Sequence, residues 1–340
     1  MTKLPKITTL LAGAALALSG AAVQAADYTL TIAGWAPPTH GMNAKMWPSF
    51  TKMIEDATGG KVTAELKLGI APPPAMMDLV QDGAVDVSII FHGYQPGRFV
   101  TTKLIELPGY EGSAEAASVA YWHAYEKFLK TADEHRGVKL IALTTHGPAQ
   151  LHSNKAVTEL SQVAGMKVRI PGGVAGDIGT ALGATGIKVP APKVYETLAS
   201  NSADGVVMPV ETRKGFKLTE VAKNLYFMPG GLYRGSFALI MNEEAFADMP
   251  ADVQQALESK VFGEELSKMA GAMWDEVDEI GLAATKATAD NAINQASAAD
   301  LATFNGIAAD VRTKVIAEIT AEGIDAQTAY DMIASEMANY

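Results

Sequence analysis

The order of the first periodic segments constrains this chain most. Residues 28–33 alternate apolar and polar side chains (Tyr28-Thr29-Leu30-Thr31-Ile32-Ala33), the period of a strand. Residues 46–57 then place Met46, Phe50, Met53, Ile54 and Ala57 at helical spacing, and Gly59-Gly60 ends the run. Alternation returns at Val62, Ala64, Leu66 and Leu68. Strand, helix, strand in that order points to a parallel sheet and an α/β fold. The pattern continues with a short helix over 76–82, a buried-type strand over 85–91, a helix over 114–133 and a strand over 138–143. Open α/β sheets bind ligands beyond their strand ends, so the loops after these strands are the places to look for function. They carry Trp35 and His40, then His92 and Tyr94, then His146. Trp122 lies instead on a helix face with Tyr125 and Phe128 and is read as core.

A second unit follows. Residues 150–153 read as a crossing strand and 159–163 as a helical turn. Strands over 166–170, 186–189 and 205–208 alternate with helices over 174–182 and 193–201. Residues 221–227 are strand or turn, and the alternating strand over 236–241 is suited to return to the first unit. After Pro250, residues 251–290 contain no proline and read as one long helix or two collinear ones, broken only at Gly263, Gly271 and Gly281. Residues 298–340 are again mostly helical. No fixed-period repeat is visible, which argues against a solenoid.

Composition removes several functions. The chain has no cysteine, which excludes disulfides, thiolate metal sites and a cysteine nucleophile. A formal net charge of −11 without a long Lys/Arg run argues against a nucleic-acid partner. Lys3 and Lys6, the small and apolar run over 8–22, and Val23-Gln24-Ala25 form the layout of a signal peptide over 1–25, so a periplasmic location is expected. No later stretch is long and apolar enough to insert stably in a membrane. There is no Gly-x-Ser-x-Gly elbow and no phosphate-binding glycine loop. The six histidines show no metal-ligand spacing, yet His40, His92 and His146 all follow strands. Their convergence on a metal would make the chain a secreted metal-dependent enzyme, which stands as the alternative reading. No cofactor is expected.

One stretch remains, Ala164-Gly165-Met166-Lys167-Val168-Arg169-Ile170-Pro171-Gly172-Gly173. It is a short strand between a glycine turn and a proline, with Arg169 near its end. A guanidinium held on a strand presents a planar fork that fits a carboxylate. The same residue also reads as a surface arginine or half of an internal ion pair.

These segments together resemble the extracytoplasmic solute receptors of TRAP transporters, the DctP-like family. The resemblance rests on the opening strand with Trp35 and His40, on Gly83-x-Val85-Asp86, and on Gly165-Met166-Lys167-Val168-Arg169-Ile170-Pro171. It continues through Pro190, Tyr195-Glu196-x-Leu198, Ala203-Asp204-Gly205, Met241-Asn242 and Met249-Pro250. It implies an α/β, two-domain periplasmic binding protein clamshell with a long domain-spanning helix. Such a protein closes on a small-molecule carboxylate and delivers it to the TRAP transporter membrane subunits. Domain I is then expected over 27–148 plus 236–275 and domain II over 149–235 plus 276–340, hinged at the crossing strands and the long helix, in a monomer. Arg169 matches the family's carboxylate-binding arginine. Two departures bear on the ligand. Ala149 stands where many members have a second arginine, and Val207-Met208 replace polar contacts in Asp204-Gly205-Val206-Val207-Met208-Pro209. A hydroxyl-rich sugar acid would leave donors unpaired against that aliphatic strand end. The favoured ligand is an aromatic or apolar monocarboxylate, walled by Trp35, His92, Tyr94, Met208 and Tyr233, with His40 and Glu211 completing the candidate set. A short unsaturated dicarboxylate, or an ectoine- or betaine-like zwitterion caged by Trp35 and Tyr94, is the alternative ligand.

Overall fold

Two sheets organise the molecule, and the computed structural model describes residues 26–340. The signal peptide expected over 1–25 lies outside the described residues. The first sheet grows from β1 (Tyr28–Gly34), whose Ile32 and Ala33 are fully buried. α1 (Trp47–Thr58) carries Pro48 in its first turn, where a missing N–H leaves no bond unmade. Gly59, at φ 64°, closes its C-terminus in the left-handed conformation that glycine adopts without strain. β2 (Val62–Leu68) pairs in parallel with β1 along its whole length. α2 (Met76–Gln81) leads to β3 (Val87–Phe91), also parallel to β1 and buried throughout. α3 (Lys103–Glu106) and α4 (Ala114–Ala124) follow; the Ser113 side chain caps α4 by accepting the Ala116 N–H. The helix expected over 114–133 continues past α4 as a π-helical turn, Tyr125–Leu129, and a 3-10 turn, Lys130–Ala132. β4 (Lys139–Thr145) ends this part.

The second sheet contains β5 (Gln150–Ser153), β6 (Lys167–Arg169), β7 (Thr185–Ile187), β8 (Gly205–Met208) and β9 (Asn224–Phe227). Between them lie α5 (Val174–Ala181), α6 (Val194–Ala199), α7 (Thr212–Gly215) and α8 (Leu218–Val221). β10 (Ser236–Met241) returns to the first sheet and wedges between β3 and β4, antiparallel to both, giving the order β2-β1-β3-β10-β4. All six residues of β10 are buried. α9 (Glu243–Ala247), α10 (Ala251–Lys260) and α11 (Glu264–Ala287) come next. β11 (Ala292–Gln295), which the sequence pattern does not announce, pairs in parallel with β9 and completes the order β11-β9-β5-β8-β6-β7. α12 (Ala298–Ala321) packs on α5, whereas α13 (Ala326–Asn339) packs on α4. The C-terminal helix, expected with the second unit, therefore lies on the first, where Ile333 and Met337 are buried.

Of the three glycines expected to break the long helical run, only Gly263 does. Gly271 and Gly281 lie inside α11 because the helix touches backbone at both points. A Cβ on Gly271 would stand 2.6 Å from Glu115 Cα, and one on Gly281 would stand 2.2 Å from the Val210 oxygen. At 24 residues, or about 36 Å, α11 is long enough to pack on α4 and β4 of one lobe and on α7 of the other. The result is a two-domain α/β architecture spanned by one helix.

Candidate functional site

The chain crosses between the sheets twice before α11, after β4 and before β10. The two crossings pair with each other: Ala149 N–H donates to the Tyr233 oxygen at 2.9 Å, and Leu232 N–H donates to the Ala149 oxygen at 2.8 Å. Ala149 is fully buried in this ladder. Beside it, a cavity opens between the lobes.

Strand ends supply most of its walls. Trp35 follows β1, and its indole N–H is already committed to the Ile89 oxygen at 2.8 Å. Tyr94 follows β3 and stands edge-on to Phe91, with ring centroids 4.8 Å apart. Met208 ends β8, and Glu211 lies just beyond, held by its own N–H on Asp278 Oδ1 of α11 at 2.7 Å. Tyr233 and His146 come from the crossings. Burial pushes the Tyr233 hydroxyl well above its usual range, so it stays protonated. Burial also pushes His146 down to about 4, and the Arg234 and Arg169 charges add to that shift. Its ring is therefore neutral at physiological pH.

Arg169 is the only Arg or Lys among the lining residues, and it is 1% exposed. Its Nε donates to the Val189 oxygen at 2.8 Å and its Nη2 to the Tyr94 hydroxyl at 3.0 Å. The same hydroxyl accepts the Ala191 N–H at 2.8 Å, so one tyrosine of the first lobe binds two groups of the second. Among the described residues no carboxylate lies within 4.0 Å of the Arg169 guanidinium, and Nη1 has no hydrogen-bond partner. Neither a surface arginine nor an internal ion pair describes it. A buried cation without an anion is costly unless something else supplies the charge.

The structure thus gathers Trp35, His40, Tyr94, Arg169, Met208, Glu211 and Tyr233 around one cavity. It does not bring His92 there. That ring turns into the first lobe, with Nδ1 3.0 Å from Ser236 Oγ and Nε2 3.0 Å from His135 Nε2. Burial, with the neighbouring His135, holds its pKa well below the ordinary value. His40, His92 and His146 therefore do not converge. Among the described residues no three His, Asp or Glu side chains are grouped to hold a metal. Sequence reasoning missed Phe91, Phe216, Phe237 and Trp274. Phe91 and Phe237 are strand residues indistinguishable by pattern from core, and Trp274 is a helix-face aromatic. Trp122, read as core on the same grounds, does pack against the core, against Gly263.

Two α/β lobes joined by paired crossings and one spanning helix, with an aromatic cavity between them, define a two-domain solute receptor of the TRAP type. Residues 33–318 match the model of the bacterial extracellular solute-binding proteins, family 7, and the chain belongs to that family. The family is periplasmic, and its members are binding proteins, not enzymes. A TRAP solute-binding protein of Bordetella bronchiseptica, solved with (R)- and (S)-mandelate, is 34% identical with a TM-score of 0.88. The alignment covers 92% of this chain and 99% of that one. One from Rhodoferax ferrireducens, solved with copurified benzoate, is 25% identical with a TM-score of 0.84, over 92% of this chain and 98% of that one. The outer membrane transporter protein TsaT of Comamonas testosteroni is 25% identical over 93% of this chain and 94% of its own length. No helix among the described residues is long and apolar enough to cross a membrane.

Proposed function

We propose that this receptor is exported by its 1–25 signal peptide and captures an aromatic monocarboxylate through Arg169 for delivery to TRAP membrane subunits. One observation carries the reading: a buried guanidinium lines the cavity and, among the described residues, has no carboxylate within 4.0 Å. The ligand's carboxylate supplies the missing charge and takes the free side of the fork. A short dicarboxylate would bring a second anion, and no second Arg or Lys lines the cavity to meet it. The rest of the wall favours an aromatic body. Trp35, Phe91, Phe216, Phe237 and Trp274 offer faces and edges, with Phe237 and Trp274 centroids 5.4 Å apart. The mandelate and benzoate held by the Bordetella and Rhodoferax proteins support the same class.

Tyr94 already joins the lobes at Arg169 and Ala191, so the ligand would be held between lobes that must part to admit it. A thermal-shift screen tests the class, because a ligand that binds only the folded state raises the apparent melting temperature. Benzoate and mandelate are expected to raise it, and succinate and ectoine are not. Stabilisation by succinate or ectoine alone would replace this reading with one of the other ligand classes.

A further inference from the structure

The cavity holds a second polar pair, which a carboxylate on Arg169 does not use. His40 is 1% exposed and Glu211 is 3% exposed. The His40 ring leans on Phe216 and Trp274, with centroids 5.0 and 5.8 Å away. Its Nδ1 accepts the Met42 N–H at 3.2 Å, which leaves the ring proton on Nε2. That Nε2 stands 3.1 Å from Glu211 Oε2, yet it is buried without an aligned hydrogen-bond partner. Among the described residues, no other N–H or O–H donates to the Glu211 carboxylate. Gly215 leaves the room for this arrangement, since a Cβ there would meet Glu211 Oε2 at 2.5 Å and His40 Cδ2 at 2.8 Å.

A buried donor without a proper partner, beside a carboxylate that the protein leaves without an aligned donor, costs free energy until one group fills both roles. A hydroxyl does so: its oxygen accepts from His40 Nε2–H and its proton goes to Glu211. An ammonium has no lone pair to offer the imidazole, and an ether has no proton to offer the carboxylate. Charge also fixes where the hydroxyl sits on the ligand. Arg169 draws the ligand's carboxylate and Glu211 repels it, so the hydroxyl is carried away from the carboxylate, on the ring. We infer that His40 and Glu211 form a hydroxyl-reading subsite, and that the ligand class is the ring-hydroxylated aromatic monocarboxylates. This rests on the carboxylate reading of Arg169 given above.

Isothermal titration with benzoate, the three hydroxybenzoates and 4-(aminomethyl)benzoate tests it. At least one hydroxybenzoate is expected to bind about ten- to a hundredfold tighter than benzoate, the range for a hydrogen bond to a charged group. Glu211→Met should bring that ratio close to one, and Glu211→Gln, which keeps an acceptor oxygen, should retain more of it. Circular dichroism checks that both variants fold. Equal binding of benzoate and every hydroxybenzoate overturns the subsite while leaving the carboxylate reading in place. So does a ratio that survives Glu211→Met. Tighter binding of the aminomethyl acid would make the pair a cation reader and overturn the inference in that direction. If none of these acids binds, the carboxylate reading falls as well.

Discussion

Arg169 and Arg213 are both buried in the second lobe, and neither has a carboxylate within salt-bridge distance among the described residues. Their surroundings differ in one respect. Each of the three Arg213 nitrogens donates to a protein oxygen: Nε to Thr285 Oγ1 at 3.0 Å, Nη1 to the Ala222 carbonyl and Nη2 to the Asn291 side chain. The guanidinium thereby ties α7 to α11 and to the turn before β11, and burial lowers its pKa to about 10. Arg169 uses two nitrogens and leaves the third without a protein partner beside a cavity. A buried arginine whose nitrogens are all bonded to protein is a structural tie. Arg169, open beside the cavity, is the one we propose takes the ligand's carboxylate. Burial does not separate these two; an open donor that faces a cavity does, since Arg234 Nη1 is also without a partner among the described residues but lines no part of this cavity.

The contrast breaks most directly at Arg169. Arg169→Met is expected to weaken benzoate or hydroxybenzoate binding by a hundredfold or more, on the order of 3 kcal/mol, as measured by calorimetry. The ligand-free melting temperature should move less than in Arg213→Met, because the loss of the bonds to Val189 and Tyr94 is offset by removing a cation that the protein itself leaves unpaired. Wild-type affinity in that variant would mean the carboxylate sits elsewhere.

Arg213→Met should do the reverse. It strands three buried acceptors, so stability to denaturant is expected to fall by roughly 3 kcal/mol while the folded fraction still binds. A stability loss no larger than that of Arg169→Met would erase the distinction.

Gly281→Ala sharpens the comparison by linking its two sides. The new Cβ would press on the Val210 backbone next to Glu211, costing about 1–3 kcal/mol of stability through overpacking. The same pressure should change the hydroxybenzoate-to-benzoate ratio, since Glu211 lies in the displaced segment. Gly176→Ala, where a Cβ meets nothing within 4 Å, is the control expected to leave the ratio unchanged.

The smallest effect is in pH. Burial pushes Glu106 up to about 7 against its hydrogen bonds from Ser236 and Val174 and the nearby Lys103. Burial pushes Asp278 up to about 8, with Glu211 and Asp275 adding to the shift and Arg234 opposing it. In the unfolded chain both groups lose their protons near pH 4, so between there and pH 7–8 the folded state holds more protons and stability falls as pH rises. His92, held well below its ordinary value, and His135, His146 and His152, lowered by burial to about 3, 4 and 3, act oppositely, an effect that fades as their unfolded forms titrate around pH 6.5. Denaturation midpoints should therefore decline from pH 7 to 8, and Glu106→Gln should flatten the lower part of that decline. A midpoint that climbs steadily to pH 8 would contradict both shifts.

Much of the fold is legible in the sequence where structure follows from neighbours in the chain. The alternation of β1 and β2, the helix between them and its Gly59 stop are local, and the structure shows them within a residue or two. β11 is not legible, because Ala292-Ile293-Asn294-Gln295 is half exposed and becomes a strand only by pairing with β9. Gly271 and Gly281 read as breaks because glycine weakens an isolated helix. In the molecule they are what lets α11 lie against the backbone of both lobes. His92 follows a strand as His40 does, yet points into the first lobe, since Ser236 of the inserted β10 and His135 take its two nitrogens.

By itself the sequence determined the α/β class, the strand ends and the placing of Arg169 after a glycine turn, all of which depend on residues a few positions apart. The tertiary structure alone decided which side chains face each other across the cleft. Phe237 and Trp274 became walls because β10 returns between β3 and β4 and α11 spans the lobes. His40 met Glu211 across 171 positions of chain for the same reason. Local periodicity tells whether a side chain turns inward, but not what it meets there, and that is fixed by the order in which the strands assemble.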